Sequence, residues 1–197
     1  SNVIARVAPS LIEASRIFAG QMVRNAATIG GNIDCGSPAA DLVPPLLSLD
    51  AEVELASRDG RRRLKLADYY LGYKKSVRRP DELIVRVLLP ALPANAYNAF
   101  YKLARRKGDA ITVTGTAVTV VLQGSRCAMA RIALGSVAPV PMRARKAEGL
   151  LEGKAFTLPL VEDAAELAMQ ECAPIDDVRA TAAYRRKMVK VLTRRLL

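Results

Sequence analysis

Histidine and tryptophan are absent from the 197 residues, and aromatic side chains make up only 5% of them. Without histidine, no imidazole can serve as a general base, complete a Ser–His–Asp triad or bind a metal. Cysteine is also scarce: Cys35, Cys127 and Cys172 are odd in number, far apart, and form no CxxC pair. Zinc and iron–sulfur sites need clustered thiolates or imidazoles, so these read as buried or incidental thiols of a reducing cytoplasm. No apolar run approaches the ~20 residues that span a bilayer. No basic, then apolar, then small-residue leader is visible either, and a cytoplasmic location is expected.

Positive charge is what the chain has in excess. Thirty basic against 19 acidic residues give a net charge of +11, a balance that suits nucleic acid, an acidic protein partner or an anionic cofactor. The cations fall in short groups, at Arg61 to Arg63, Lys74 and Lys75, Arg105 to Lys107, and Arg185 to Lys187. No aromatics interleave with them as a base-stacking platform would require, which makes nucleic acid the weakest of the three. With 51% apolar residues, the chain can build one sizeable core or two small lobes.

Ser10 and Glu13 have capping-box spacing, and Leu11, Ala14, Ile17 and Phe18 recur at helical intervals up to a stop at Gly20. The stretch RNAATIGGNIDCGSPAAD has no sustained period and reads as loop, ending at Asp41, which can cap a short helix over Leu42 to Leu49. From Ala51 the period becomes two, with Val53 and Leu55, a Ser-Arg-Asp-Gly turn, then Leu64 and Leu66, which is a hairpin. Leu83 to Leu89 is a further strand. After the linker Pro90 to Asn95, three β segments are expected at Phe100 to Arg105, Ile111 to Leu122 and Arg131 to Val137. Helices follow near Arg143 to Leu151, Leu160 to Glu171 and from Val178 onward, the last with Tyr184, Met188, Leu192 and Leu196 on one stripe. The class is α+β: an antiparallel first part, residues 1–92, and a second part, 93–197, with a three-stranded antiparallel sheet closed by helices.

Chemistry concentrates in Ala27-Thr28-Ile29-Gly30-Gly31-Asn32. Adjacent glycines let backbone N–H groups approach a phosphate that a Cβ would block, and Thr28 and Asn32 add donors at either side. A Gly-Gly pair in a loop is more commonly a plain turn. The text is neither a Walker motif nor GxGxxG. Its surroundings say more. QMVRNAATIGGN followed by SPAADLVPPLLSLDAEVELAS resembles the FAD-binding (medium) subunit of molybdenum hydroxylases of the xanthine dehydrogenase and aerobic carbon monoxide dehydrogenase type. The likeness continues collinearly through GYKK, DELIVRVLLP, FYKLARRKGDAI, ARIALGSVAPVPMRA and PIDDVRATAAYRRKM.

The resemblance implies a flavoprotein oxidoreductase subunit, residues 1–92 being the second lobe of a two-lobed FAD-binding domain. Electrons would pass from [2Fe–2S] clusters on a small partner subunit through FAD to NAD, a quinone or oxygen. The molybdenum cofactor would sit on a large partner subunit, and no catalytic acid or base would be asked of this chain. Thr28, Gly30, Gly31 and Asn32 would hold the FAD pyrophosphate, with Phe18, Ala19, Val23 and Ala27 lining the pocket and Asp34 following it. Asp41 would bond the polyol or ribose hydroxyls, Ile84 would pack near the isoalloxazine, and Lys102 would bring positive charge to it. Helix capping by Asp41 and a solvated strand lysine at 102 are the plainer alternatives. The family's first glycine-rich motif, of the type AGGTDL, has no match here, so the resemblance implies an incomplete FAD site and weak flavin affinity. A truncated, FAD-free fragment acting as a subunit-docking module is the alternative role. Cys35, where relatives carry a small residue, is expected to be filler.

Overall fold

The computed structural model describes residues 2–197. Five short helices come first, α1 (Asn2–Val7), α2 (Pro9–Ile17), α3 (Gln21–Ala26), α4 (Ile29–Asp34) and α5 (Val43–Ser48). A three-stranded sheet of order β2-β1-β5 follows, built from β1 (Glu52–Ser57), β2 (Gly60–Lys65) and β5 (Leu83–Leu88). Between β2 and β5 the chain makes a small hairpin, β3 (Tyr70–Gly72) and β4 (Lys75–Ser76). The second sheet is also antiparallel, in the order β6 (Tyr97–Ala104), β7 (Thr112–Gln123), β8 (Arg126–Gly135) and β9 (Met142–Arg143). Helices α6 (Arg145–Leu151), α7 (Leu158–Glu171) and α8 (Ala182–Leu196) complete the chain. Among the described residues, no helix is long and apolar enough to cross a membrane.

The second sheet has four strands rather than the expected three. Its added edge, β9, pairs Arg143 with Ala133 and Met142 with Leu134, and two residues are too few to show a period in sequence. The α+β class stands. Alternation along the long strands separates two cores. Phe100, Ala117 and Ala133, aligned across β6, β7 and β8, face α2, α5 and β1. Their neighbours Ala99, Val118 and Ile132 face Ala147 and Leu151 of α6, Ala164 and Ala168 of α7, and Val189 of α8. The β6–β8 sheet is therefore shared, and the first core is completed by residues beyond position 99.

Three local expectations are corrected. The glycine-rich stretch is helical in part, because Thr28 caps α4 by accepting from the Gly31 N–H. The start of α2 is set by Pro9 in its first turn, not by a capping box. Ser10 N–H donates instead to Asn98 Oδ1 (2.9 Å) and Glu13 accepts from the Phe100 N–H (2.7 Å), so both residues dock the helix on β6. The buried stripe of α8 runs through Arg185, Val189 and Leu192, one position out of phase with the expected one, and Tyr184 is exposed.

Candidate functional site

Thr28 is extended before α4, and its Oγ1 lies 2.9 Å from the Gly31 nitrogen. A Cβ on Gly31 would sit 3.1 Å from that oxygen, so glycine permits the tight cap. A Cβ on Gly30 would be in ordinary contact with Ile84 of β5, at 3.7 Å, which places the glycine turn directly over that strand. The first N–H groups of any helix have no partner within it. In α4 the Gly31 N–H goes to the Thr28 side chain and the Asn32 N–H to the Thr28 carbonyl, so those of Ile29 and Gly30 remain to be satisfied from outside the helix. Asn32 does not act only as a donor: its Oδ1 accepts from the Leu42 N–H (3.3 Å), tying the turn to the segment carrying Asp41.

Asp41 does not cap α5, whose N-cap position is Leu42 without a side-chain bond. Instead its carboxylate receives Lys102 Nζ at 2.6 Å and the Thr112 hydroxyl. Lys102 is no solvated strand lysine either; its side chain is 4% exposed, against 7% for Asp41. The ion pair thus brings to this spot a cation already neutralised by its partner. Nζ also reaches the Ile17 carbonyl at 3.4 Å, next to Phe18.

Asp34 accepts from Tyr69 Oη (2.5 Å) and Arg78 Nε (2.8 Å), while Arg78 Nη1 donates to the Glu82 carbonyl (2.8 Å) just ahead of Ile84. Burial and the bond to Asp34 push the Tyr69 phenol up to about 12, so it remains a donor. Arg78 spans from the end of α4 to the start of β5. Sequence reasoning missed it, as it missed Arg24, whose Nη1 holds the carbonyls of Phe18 and Ala19 at 2.7 and 2.5 Å. Ala19 has a φ of 43°, unusual for a non-glycine, and the clamp stabilises that turn. Arginines in a loop give no periodic signal. Cys35 is exposed, with Sγ 3.1 Å from the Asn32 carbonyl.

These bonds join most of the expected residues in one run: Gly30 over Ile84, Asn32 to the Asp41 segment, Asp41 to Lys102, and Lys102 back to Ile17 beside Phe18. Val23 and Ala27 stand apart, exposed on and after α3. Around them Met22, Ile29 and Leu83 also leave apolar surface open. Phosphate oxygens could meet the free N–H groups of α4, and an aromatic ring could lie on the apolar surface.

Comparison with known proteins gives the context. Residues 1–92 match the family described as FAD binding domain in molybdopterin dehydrogenase, and residues 99–197 match the CO dehydrogenase flavoprotein C-terminal domain. The carbon monoxide dehydrogenase medium chain of Afipia carboxidovorans is 35% identical over 195 residues, 99% of this chain and 67% of that one. The xanthine dehydrogenase FAD-binding subunit of Escherichia coli O157:H7 is 30% identical over all of this chain and 68% of its own length. Among solved structures, carbon monoxide dehydrogenase from Hydrogenophaga pseudoflava superposes with a TM-score of 0.95 at 35% identity, covering 99% of this chain and 68% of its counterpart.

Proposed function

The chain belongs to the FAD-binding subunits of the molybdenum hydroxylase family, an oxidoreductase family, and from that membership we propose that it holds FAD for electron transfer within a larger enzyme. The partners are an iron–sulfur small subunit and a molybdenum-cofactor large subunit, in the cytoplasm. Electrons reach FAD from the [2Fe–2S] clusters and leave to NAD, a quinone or oxygen. When bound, the flavin supplies the redox chemistry, linking one-electron carriers to its acceptor. Residues 1–92 supply one face of the cofactor site, and 93–197 form the C-terminal part that carries Lys102 and the closing helices.

The observation that carries this reading is the glycine turn capped by Thr28 and seated over Ile84, with open apolar surface around it. Such a cradle fits a dinucleotide, because its backbone is approachable and its neighbours are apolar. Thr28, Gly30, Gly31 and Asn32 bind the pyrophosphate; Phe18, Ala19, Val23 and Ala27 line the pocket. Asp34 fixes the end of α4, and Ile84 packs against the ring system. Asp41, held by Lys102 and Thr112, keeps its carboxylate in place for a hydroxyl donor of the cofactor. Since Asp41 already neutralises Lys102, these two residues orient the cofactor more than they charge its surroundings.

Titration with FAD, followed by flavin fluorescence and the visible spectrum, tests the reading. Gly30→Val would drive a branched side chain toward Ile84 and into the phosphate path. Its FAD occupancy in the assembled enzyme should fall at least roughly tenfold, the loss of one well-placed cradle contact. Undiminished occupancy in that variant would remove the glycine turn from the site.

A further inference from the structure

A cavity of about 470 Å³ opens on the far side of Thr112, where the loop after α4, the start of β7, the loop after β8 and the α7–α8 connection meet. Pro38, Ile111 and Pro139 line it, and Tyr73 and Ile175 stand at its edge. Ile175 is 73% exposed, and Val178, on the same connection, is 86% exposed. Tyr73 and Ile111 are exposed as well. Single apolar side chains on a surface mean little, but four gathered about one cavity mark a contact surface.

Both edges of this mouth are fixed. The α7–α8 connection is anchored by the Ala173 N–H on the Val137 carbonyl (2.9 Å) and by Arg105 Nη1 on the Val178 carbonyl (2.9 Å). Asp177 is held by Arg185 Nη2 (2.7 Å) and by the N–H groups of Arg179 and Ala180. Across the mouth, Lys74 follows Tyr73 with a φ of 52° and bonds the Gly36 carbonyl. Gly36 has a φ of 59°, and a Cβ there would come within 2.8 Å of Lys74 Cα, so the turn is seated on a position only glycine fills well. The surface is rigid before anything binds, which lowers the ordering cost of association. Among the lining residues, Ser136 Oγ and Arg185 Nε are buried and have no partner among the described residues. Both can donate to an acceptor that an occupant brings.

The cavity's place in the molecule identifies the occupant. Thr112 lines it and donates to Asp41, which holds Lys102. On the reading above, the flavin lies against that pair. Electron transfer weakens steeply with distance, so the subunit that delivers electrons has to seat close to it. Exposed Lys74, Lys75 and Arg179 flank the opening and favour an acidic partner surface. We propose that this mouth is the docking surface for the iron–sulfur subunit, which inserts an apolar side chain between Tyr73 and Ile175 and offers a carbonyl to the donors within. The proposal rests on the function given above.

The test uses the assembled enzyme, with subunit composition followed by native mass spectrometry and FAD content by absorbance. Ile175→Asp combined with Val178→Asp changes two exposed side chains and leaves the fold intact, as circular dichroism would check. Association of the iron–sulfur subunit should weaken roughly 30-fold or more, the size of a central interface contact, with FAD content and the molybdenum subunit retained. Lys74→Glu with Lys75→Glu should weaken it too and flatten its dependence on salt. Unchanged iron–sulfur association, or selective loss of the molybdenum subunit, would overturn the assignment of this face. An FAD-bound wild-type chain that takes up no iron–sulfur subunit at all would sink the wider reading as well.

Discussion

Asp41 and Lys102 carry opposite full charges, both almost wholly buried and 2.6 Å apart. Removing one partner of such a pair strands the other in a medium that solvates it poorly. Lys102→Met is therefore expected to cost about 3–5 kcal/mol in urea unfolding, and adding Asp41→Asn should recover much of that loss. If the single and double variants unfold at the same urea concentration, the pair is not coupled as described. Sequence alone showed both residues as site candidates on the strength of the family likeness, but not that they bind each other. A separation of 61 residues gives no local pattern to read. Arg185 was illegible for the opposite reason. Arginine is normally assigned to the wet face of a helix, and only the carbonyls of Val113 and Ser136, with Asp177, make its burial tolerable.

At the scale of elements, long segments could be read and short ones could not. The β1–β2 hairpin, β5 and β7 announce themselves through alternation or β-branched runs. Helices α3 and α4, of six residues each, are too short to show a period, and α4 starts on a cap that a loop reading conceals. What keeps α4 in register with β5 is Arg78, bonded to Asp34 at one end and to the Glu82 carbonyl at the other. Arg78→Gln should lose about 1–3 kcal/mol of charge-assisted hydrogen bonding, show faster amide exchange across residues 28–34, and bind FAD roughly tenfold more weakly. Faster exchange with unaltered FAD affinity would separate the brace from the cofactor site. Helix α5 packs on β8 closely enough that a Cβ on Gly135 would meet Pro44 Cγ at 2.9 Å. Close packing of that kind was also invisible in sequence, where Gly135 reads only as a strand end.

For the molecule as a whole, acid should be more damaging than base. The bond from Arg62 holds the buried Glu82 carboxyl at about 2, below its ordinary 4.5. Burial raises Asp177, but the donors from Arg179, Arg185 and Ala180 outweigh it and hold it at about 2. Carboxyls depressed in the folded state stabilise it fully above their unfolded values and lose that contribution as pH falls through their folded ones. Urea midpoints should thus hold steady from neutrality to about pH 4.5 and then decline toward pH 2. Glu82→Gln should flatten part of that decline, and a profile identical to the wild type would show that Glu82 does not govern it.

The two cores lie on opposite faces of one sheet, and the Pro90–Asn95 segment that joins the two parts of the chain is exposed along most of its length. Phe100, Ala117 and Ala133 finish the first core, and α2 rests on β6 through Asn98 and Phe100. Continuity of the backbone is therefore not what keeps the two parts together. A protease that cuts only within 90–95 should give two bands on a denaturing gel and a single peak of unchanged size in gel filtration. The same two polypeptides, made from separate genes in one cell, should find each other and fold as a pair, whereas residues 1–92 expressed alone should aggregate for want of the sheet that covers them.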